Sequence, residues 1–260
     1  MHKGRTYAVT GAASGIGAAI AARLREDGAR VIACDLAEGD VAADLATAEG
    51  RAALVEGVTR LAEGRLDGVV ANAGGGPAET MVALNFFGAV ATLEGLRPLL
   101  ADSPAPRALA ISSVSALGVV EADIVEACLA RDETAAIAAA DRAFVSAEAG
   151  LTLYGSAKQA LNRWARRVAV TADWAEAGIL LNVIAPGVVE TPAAAWILST
   201  PEGRAEMSRR TPLPAARPAS AEQIAALAAW CVSPENAVVT GQILFADGCL
   251  ECRARGAVVW

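Results

Sequence analysis

Short apolar runs alternate with amphipathic stretches along most of the chain. The apolar runs are typical of buried strands, and they cover 5–11, 29–36, 66–74, 107–113, 179–187 and 241–248. Between them, apolar residues recur every three or four positions, which predicts helices over 16–28, much of 46–63, 80–100, 151–178 and 220–234. Apolar strands separated by helices predict a parallel sheet covered on both faces. The expected fold is a single doubly wound α/β domain over 1–260.

One segment, 117–150, interrupts this alternation. It is rich in Ala and Glu, has no strand pattern, and is predicted to form two helices that break near Arg131–Asp132. Because connections in α/β domains are usually far shorter, we interpret 117–150 as an insertion. The Pro-rich stretch 211–220 is predicted to be a loop.

Composition and charge exclude several classes of protein. The chain has 260 residues, of which 54% are hydrophobic and 20% charged, so it can bury a sizeable core. Its net charge of −7 makes nucleic acid an improbable partner. No apolar stretch is long enough to span a membrane, and no secretory signal is visible. We therefore expect a cytoplasmic protein.

Cysteine and histidine are sparse. The odd, scattered set of cysteines does not predict disulfides, which agrees with a reducing compartment. The C-x-x-C pair at 249–252 lacks further ligands for zinc, so free thiols are favoured over a redox pair and no metal site is expected. A single histidine near the N-terminus argues against a mechanism that needs an interior imidazole. The residues concerned are His2, Cys34, Cys128, Cys231, Cys249 and Cys252.

The first predicted strand leads into TGAASGIG, Thr10 to Gly17, ahead of an amphipathic helix. Glycines in such a turn allow backbone N–H groups and the helix N-terminus to approach a pyrophosphate. Asp35 ends the second strand, where a carboxylate accepts hydrogen bonds from ribose hydroxyls and repels a 2′-phosphate. This pattern favours NAD over NADP, and the neutral Ser14 agrees with it. The alternative is an ordinary solvated aspartate.

A tyrosine and a lysine lie one helical turn apart in LYGSAKQAL, residues 153–161. Tyr154 and Lys158 share a helix face, so the phenol and the ammonium can point into the same space. The two interpretations are a surface pair and a tyrosine made acidic by a neighbouring cation.

Six motifs in series resemble the short-chain dehydrogenase/reductase family. They are TGAASGIG, ANAG (71–74), LNFFGA (84–89), ISS (111–113), YGSAK (154–158) and NVIAPGVVET (182–191). The resemblance implies a Rossmann-like domain with about seven parallel strands, a homodimer or homotetramer, and NAD-linked interconversion of an alcohol and a carbonyl compound.

The resemblance also assigns site residues. It implies that Tyr154 is the general acid/base, that Lys158 binds the nicotinamide ribose and lowers the pKa of the phenol, that Ser113 hydrogen-bonds the substrate oxygen, and that Asn85 holds a water. An unperturbed phenol has a pKa of about 10, so a lysine cation and a positive nicotinamide are expected to lower it. The resemblance also implies that Asp44 and Leu45 contact the adenine and that the loop with Pro186, Gly187 and Thr191 holds the nicotinamide end. All residues implied in NAD binding are Gly11, Ser14, Gly15, Ile16, Gly17, Asp35, Asp44, Leu45, Asn72, Ala73, Gly74, Tyr154, Lys158, Pro186, Gly187, Val189 and Thr191.

Three positions depart from the family pattern. Ala71 replaces the first Asn of N-N-A-G, and Cys249 stands where the last strand ordinarily ends in D-G-G. Ser113 and Tyr154 are 41 residues apart, much farther than is common, so the insertion must loop out between them. With DLATAEGR (44–51), this spacing is similar to the bacterial 3α-hydroxysteroid dehydrogenase/carbonyl reductase branch.

The resemblance leaves the substrate open. A hydroxysteroid or carbonyl compound is favoured, and an aromatic alcohol of the coniferyl type is the alternative; a non-catalytic NAD-binding scaffold and a lyase or epimerase are less favoured. We expect 114–120 and a lid over about 192–212 to line the substrate side, with an ordinary surface helix as the alternative to the lid. Arg209 and Arg210 are expected to be a solvated pair rather than a contact for an anionic substrate. Trp164 and Trp174 are expected in the core or an interface, and a dimer is expected through the last strand and 220–232.

Overall fold

A parallel seven-stranded sheet forms the centre of the molecule. The computed structural model describes residues 1–144, 149–210 and 218–257. The strands are β1 (Thr6–Thr10), β2 (Arg30–Asp35), β3 (Val41–Ala42), β4 (Gly68–Ala71), β5 (Arg107–Ile111), β6 (Leu180–Pro186), β7 (Val189–Glu190), β8 (Ala219–Ser220) and β9 (Ile243–Ala246). Their order in the sheet is β3-β2-β1-β4-β5-β6-β9, with all neighbours parallel, and β7 pairs with β8 separately.

Helices cover both faces of this sheet. They are α1 (Gly15–Glu26), α2 (Ala48–Ala62), α3 (Ala89–Leu96), α4 (Ala122–Leu129), α5 (Glu133–Ala143), α6 (Ala149–Val168), α7 (Ala195–Leu198), α8 (Pro201–Arg210), α9 (Ala221–Cys231) and α10 (Leu250–Arg255). Side chains alternate along β1, so Tyr7 and Val9 pack against α1 and α9, whereas Ala8 faces the cluster that includes α2, α3 and α6. The predicted doubly wound α/β fold with about seven strands is confirmed.

The strand order reverses between β1 and β4. Ligands of doubly wound sheets bind beyond the carboxyl ends of the strands at such a reversal. Gly11 follows β1 and Asn72 follows β4 at this point, so the fold brings the two motifs to one edge.

The insertion forms the two helices that the sequence predicts, α4 and α5. The break falls at Arg131, whose φ of 65° is left-handed and ends α4. Asp132 then caps α5 by accepting a hydrogen bond from the Ala135 N–H at 2.9 Å. Helix α4 packs on α6, which places the insertion against the helix that carries Tyr154.

Two long predicted helices are interrupted. The helix expected over 151–178 ends at Val168; Thr171 is extended, and a separate π-helical turn spans Ala172–Glu176. That turn folds Trp174 back onto Trp164, with ring centroids 6.3 Å apart in an edge-to-face pair. The apolar periodicity continues across the break because both segments bury one face against the same core.

The helix expected over 80–100 is divided as well. It consists of 3₁₀ turns at Ala78–Thr80 and Arg97–Leu100, a π-helical turn at Ala83–Gly88, and α3 between them. The sequence analysis also missed β3, β7, β8 and α10, which are too short to show a period, while α7 and α8 lie in the segment expected to form a lid. Helix α9 begins with a capping box formed by Ser220 and Gln223.

The N-terminal histidine is inside the protein, which corrects the expectation from its position in the sequence. His2 is fully buried, and its Nδ1 lies 2.7 Å from the Tyr7 hydroxyl. It precedes β1 and therefore lies at the edge of the sheet opposite to Gly11. Burial lowers the pKa of His2 from 6.5 to about 4.

All five cysteines are free thiols. Cys34, Cys128 and Cys231 are buried, and burial raises the pKa of each to about 12. Within the described ranges, no helix combines the length and apolar character needed to cross a membrane.

Candidate active site

The glycine-rich turn is held in a conformation that side chains would not permit. Gly11 and Gly15 have φ of 67° and 52°, in the left-handed region that favours glycine. A Cβ on Gly17 would overlap the Gly11 carbonyl oxygen and the Asn72 amide. The turn therefore presents bare backbone at the N-terminus of α1, where Ser14 is the N-cap and Ile16 lies in the first turn.

Asn72 joins the ends of β1 and β4. Its Nδ2 donates to the carbonyl oxygens of Thr10 and Gly11 at 3.0 and 3.2 Å. In return, the Thr10 hydroxyl oxygen accepts from the N–H groups of Asn72 and Ala73 at 3.0 and 3.1 Å. This exchange fixes the glycine-rich turn against the segment that leads to Gly74.

Asp35 reaches across to the glycine-rich turn. Its Oδ2 accepts a hydrogen bond from the Ala13 N–H at 2.9 Å, and its Oδ1 accepts from the Leu36 N–H at 2.7 Å. The carboxylate is thus oriented at the carboxyl end of β2, beside the backbone predicted to hold the pyrophosphate.

The predicted adenine contact, Asp44 and Leu45, lies between β3 and α2. Asp44 Oδ1 accepts from the Ala46 N–H at 3.0 Å, and Leu45 is buried. A Cβ on Gly88 would lie 2.9 Å from the Leu45 carbonyl oxygen, so Leu45 rests on bare helix backbone.

Ser113, Tyr154 and Lys158 come together although 41 residues separate the first two. Ser113 follows β5, and its hydroxyl lies near enough to the phenol of Tyr154 to influence the pKa of that group. Lys158 lies one turn further along α6; its Nζ donates to the Ile111 carbonyl at 2.9 Å and lies 5.6 Å from the centroid of the Tyr154 ring. The insertion therefore loops out as predicted.

Burial shifts the pKa values of Tyr154 and Lys158 in opposite directions. Burial raises the pKa of Tyr154 above its ordinary value, an effect that the nearby Ser113 hydroxyl partly offsets. Burial lowers the pKa of Lys158 from 10.5 to about 7. The predicted fall in the pKa of Tyr154 depends on a charged lysine and on a positive nicotinamide, and desolvation of Lys158 weakens the first of these two contributions.

Asn85 lies beside Lys158 in the π-helical turn. Its Nδ2 donates to the carbonyls of Gly75 and Met81 at 2.9 and 2.8 Å, and its Oδ1 accepts from the Gly75 N–H at 3.0 Å. A Cβ on Gly74 would lie 2.7 Å from Asn85 Oδ1 and 3.2 Å from Lys158 Nζ. Glycine at 74 therefore lets the amide and the ammonium lie side by side; the role of Asn85 in holding a water stays a prediction.

The loop after β6 lies on the other side of the candidate site, against the glycine-rich turn. Pro186 ends β6, and a Cβ on Gly187 would lie 2.9 Å from the Asp247 Cα. Val189 is buried in β7, and a Cβ on Gly15 would lie 3.2 Å from the methyl carbon of Thr191. The structure thus brings the predicted nicotinamide loop against the glycine-rich turn.

Comparison with known proteins agrees with this arrangement. The family model described as enoyl-(acyl carrier protein) reductase matches residues 11–250. A 3-alpha-hydroxysteroid dehydrogenase/carbonyl reductase of Comamonas testosteroni is 33% identical over 253 residues, which are 95% of this chain and 96% of the relative. This chain belongs to the short-chain dehydrogenase/reductase family. The resemblance inferred from the six motifs is confirmed.

Solved structures of short-chain dehydrogenases/reductases extend the comparison to the cofactor. A 3-alpha-hydroxysteroid dehydrogenase from Pseudomonas sp. B-0831, complexed with NADH, is 36% identical with a TM-score of 0.86 and covers 97% of this chain and 99% of its own. RhlG of Pseudomonas aeruginosa, solved with NADP, is 28% identical with a TM-score of 0.73 and coverages of 95% and 96%. This protein is therefore an oxidoreductase that uses a nicotinamide dinucleotide.

Several supports of this short-chain dehydrogenase/reductase site were not found from the sequence. The Ser115 N–H donates to the Ser113 oxygen at 3.1 Å, and Gln159 donates to the Ala116 carbonyl at 3.0 Å. The Ser156 hydroxyl accepts from the Glu121 N–H at 2.9 Å. The contacts of Gln159 and Ser156 tie the segment after Ser113 to α6, and no spacing rule predicts them because they join residues far apart in the chain.

The predicted lid is described only in part. Residues 192–210 form a 3₁₀ turn, α7 and α8, whereas 211–212 lie outside the described residues, as do the side chains of Trp196, Met207, Arg209 and Arg210. Leu198 is buried. The lid and the arginine pair stay predictions.

Proposed function

We propose that this enzyme interconverts an apolar secondary or benzylic alcohol and its ketone or aldehyde, with NAD(H) as the cofactor. The observation that carries the proposal is the meeting of Ser113, Tyr154 and Lys158 at the carboxyl edge of the sheet, next to the glycine-rich turn. Without a fixed proton donor beside the reacting oxygen, hydride transfer alone would leave an alkoxide.

The residues of the site fit NAD. Bare backbone at Gly11, Gly15 and Gly17 suits the pyrophosphate at the start of α1. The carboxylate of Asp35, oriented by the Ala13 N–H, would accept hydrogen bonds from the ribose hydroxyls and repel a 2′-phosphate. When bound, the nicotinamide supplies or accepts the hydride.

The proton chemistry belongs to Tyr154. In alcohol oxidation its phenolate takes the hydroxyl proton of the substrate, and in carbonyl reduction its phenol returns a proton to the same oxygen. Ser113 holds that oxygen by a hydrogen bond and adds no charge. Lys158, anchored to the Ile111 carbonyl, favours the phenolate to the extent that it is protonated.

Apolar surface beside the site favours an apolar substrate. Val119 and Leu151, two large hydrophobic residues, are 80% and 55% exposed. The Val119 carbonyl oxygen would lie 3.6 Å from a Cβ on Gly155, the neighbour of Tyr154, and Leu151 lies one turn earlier on α6.

The names of the relatives are consistent with a ring alcohol. Besides the hydroxysteroid dehydrogenase/carbonyl reductase, a cis-4-hydroxycyclohexanecarboxylate dehydrogenase of Sinomonas cyclohexanicum is 33% identical over 259 residues, with 94% and 95% of the two chains covered. We favour hydroxysteroids and cyclic ketones over aromatic alcohols of the coniferyl type.

We also propose a cytoplasmic homo-oligomer, a dimer or tetramer, assembled through β9 and α9. β9 is an edge strand, and all four of its residues are only partly buried in the isolated chain. Measurement of molecular mass in solution tests this, and a stable monomer would contradict it.

The test of function is NADH absorbance with a panel of steroids, cyclic ketones and aryl alcohols. We expect turnover with the first two classes and a loss of at least about 100-fold in kcat for Tyr154→Phe, with NADH binding retained. Tyr7→Phe, which removes the other phenol of the chain at the far edge of the sheet, is the matched control. An active Tyr154→Phe would refute the mechanism, and NADH binding without any turnover by the wild type would favour a non-catalytic scaffold.

A further inference from the structure

One arginine connects the insertion to the segment predicted to bind adenine. Arg51 lies in α2, and its Nε donates to the Leu45 carbonyl at 2.9 Å. Its Nη2 donates to the Ala46 carbonyl at 3.1 Å. The side chain is only 12% exposed, so these bonds are shielded from water. The guanidinium holds the backbone of this segment on one side.

The other side of the same guanidinium is held by the insertion. Arg51 Nη1 donates to Oε2 of Glu133 at 2.7 Å, and Nη2 donates to Oε1. The guanidinium carbon also lies 5.9 Å from the centroid of the Phe87 ring, in the turn that contains Asn85. Arg51 therefore has partners along both edges and on one face.

Glu133 is well placed for this contact. It occupies the first turn of α5, where a negative charge is favoured by the helix dipole, and Asp132 caps the same helix. A free arginine side chain has many rotamers, so a bidentate carboxylate restricts it to the geometry that reaches the two carbonyls.

We propose that Arg51 is a positioning residue for the dinucleotide and that Glu133 holds it in place, so that the insertion strengthens binding of the adenosine half of the cofactor. This inference rests on the proposed function, the use of NAD(H), and on the adenine contact that the family resemblance implies for Asp44 and Leu45. Leu45 already packs against Gly88, and Arg51 adds the hydrogen bonds that fix its carbonyl. Pre-organisation of such a segment reduces the entropy lost on binding.

The chain offers a matched control for the ion pair. Arg131 also makes a bidentate pair, with Glu94 of α3, at 2.9 and 2.8 Å. It too connects the insertion to the body of the domain, but it makes no contact with 44–46 among those described, and both side chains are about 40% exposed. Glu94→Gln therefore removes an insertion ion pair without touching the adenine segment.

The experiment measures the dissociation constant of NADH by fluorescence titration for wild type, Glu133→Gln and Glu94→Gln. We expect Glu133→Gln to bind NADH about three- to tenfold more weakly, because it loses one charge-assisted contact that acts on the cofactor through a loop. KM for NADH should rise, and kcat should change little. Glu94→Gln should bind as the wild type does. Reduced nicotinamide mononucleotide, which lacks the adenosine, should bind Glu133→Gln and wild type equally.

The effect should also be non-additive with loss of the arginine. Arg51→Ala is expected to weaken NADH binding at least as much as Glu133→Gln, and the double variant no further. Unchanged NADH affinity in a folded Glu133→Gln, or equal weakening toward NADH and the mononucleotide, would overturn the inference. Failure of the wild type to bind NADH at all would instead refute the proposed function on which the inference rests.

Discussion

The ammonium of Lys158 lies 5.6 Å from the centroid of the Tyr154 ring, while its hydrogen bond goes to the Ile111 carbonyl at 2.9 Å. The ammonium is thus anchored to the last residue of β5, the strand that leads to Ser113, while it faces the ring of Tyr154. Burial moves the pKa of Lys158 down to about 7 and that of Tyr154 upward. The two groups therefore move apart in proton affinity, and near neutral pH the phenol keeps its proton while the lysine holds its own only in part.

The raised pKa of Tyr154 predicts how the two directions depend on pH. Alcohol oxidation needs the phenolate, so its kcat/KM should still be rising in the alkaline range. Carbonyl reduction needs the phenol, so its kcat/KM should stay level through neutrality and fall only at alkaline pH. Profiles measured from about pH 6 to pH 10 in both directions test this, because kcat/KM reports the free enzyme. A plateau of oxidation below about pH 8 would show instead that Lys158 lowers the pKa of the phenol.

Lys158→Met should stabilise the fold while abolishing turnover. The pKa of Lys158 is about 7 in the folded protein and 10.5 ordinarily, so the unfolded chain binds the proton more tightly between these values. Stability is therefore lost as pH falls from 10.5 through 7, and the gain from Lys158→Met should be larger at pH 6 than at pH 10, of the order of 2–4 kcal/mol at the lower pH.

Thermal or denaturant unfolding at the two pH values measures this gain. Lys3→Met, at the only other lysine of the chain, is the control, since Lys3 is exposed and its removal should leave stability nearly unchanged. A destabilised Lys158→Met at pH 6 would mean that the hydrogen bond to Ile111 outweighs the desolvation of the ammonium.

Asp35→Ala should weaken the preference for NADH over NADPH. Removal of a carboxylate that accepts ribose hydroxyls and repels a 2′-phosphate should reduce the ratio of the two kcat/KM values by about 10- to 100-fold. Asp40→Asn is a matched control, because Asp40 also accepts a backbone N–H, that of Ala33, at 2.8 Å. Equal ratios in wild type and Asp35→Ala would exclude Asp35 as the residue that selects the cofactor.

Acid should destabilise the protein through His2. The unfolded chain protonates this imidazole at about pH 6.5, whereas the folded protein does so only near pH 4. Stability contributed by the neutral ring is thus complete above pH 6.5 and is lost as pH falls toward 4, by at most about 3 kcal/mol. His2→Gln keeps hydrogen-bonding groups without titrating, so its free energy of unfolding should decline less between pH 7 and pH 4.5. Parallel declines in the two proteins would contradict the prediction.

Cys249→Gly should stabilise the C-terminal turn. Cys249 has a φ of 75°, a left-handed conformation in which a side chain costs roughly 1 kcal/mol relative to glycine. Cys252→Gly is the control: Cys252 lies inside α10, where glycine is unfavourable, so this change should lower the free energy of unfolding by a similar amount. Unfolding midpoints of the two variants should move in opposite directions; a lower midpoint for Cys249→Gly would show that the thiol contributes more than the strain removes.

Elements with a strong local period were predicted correctly. The six apolar runs all contain strands. The break near Arg131 was predicted because the charged pair Arg131–Asp132 interrupts an alanine-rich pattern, and Asp132 is the N-cap of the next helix. The end of α6 at Val168 was missed because Trp174 keeps the apolar spacing after the chain has turned back on Trp164. Two-residue strands such as β3 are too short to show an alternation of apolar and polar residues, and they are defined only by their hydrogen bonds to a neighbouring strand.

The sequence by itself determined the fold class and the positions of the chemical groups, since hydrophobic periodicity and short motifs are local properties of the chain. Only the tertiary structure decided how those groups behave. Burial of His2, the opposite shifts in the pKa of Tyr154 and Lys158, and the contact of Arg51 with Glu133 all depend on residues distant in the chain. Desolvation and ion pairing are set by what surrounds a group in space, and the order of residues alone does not specify those surroundings.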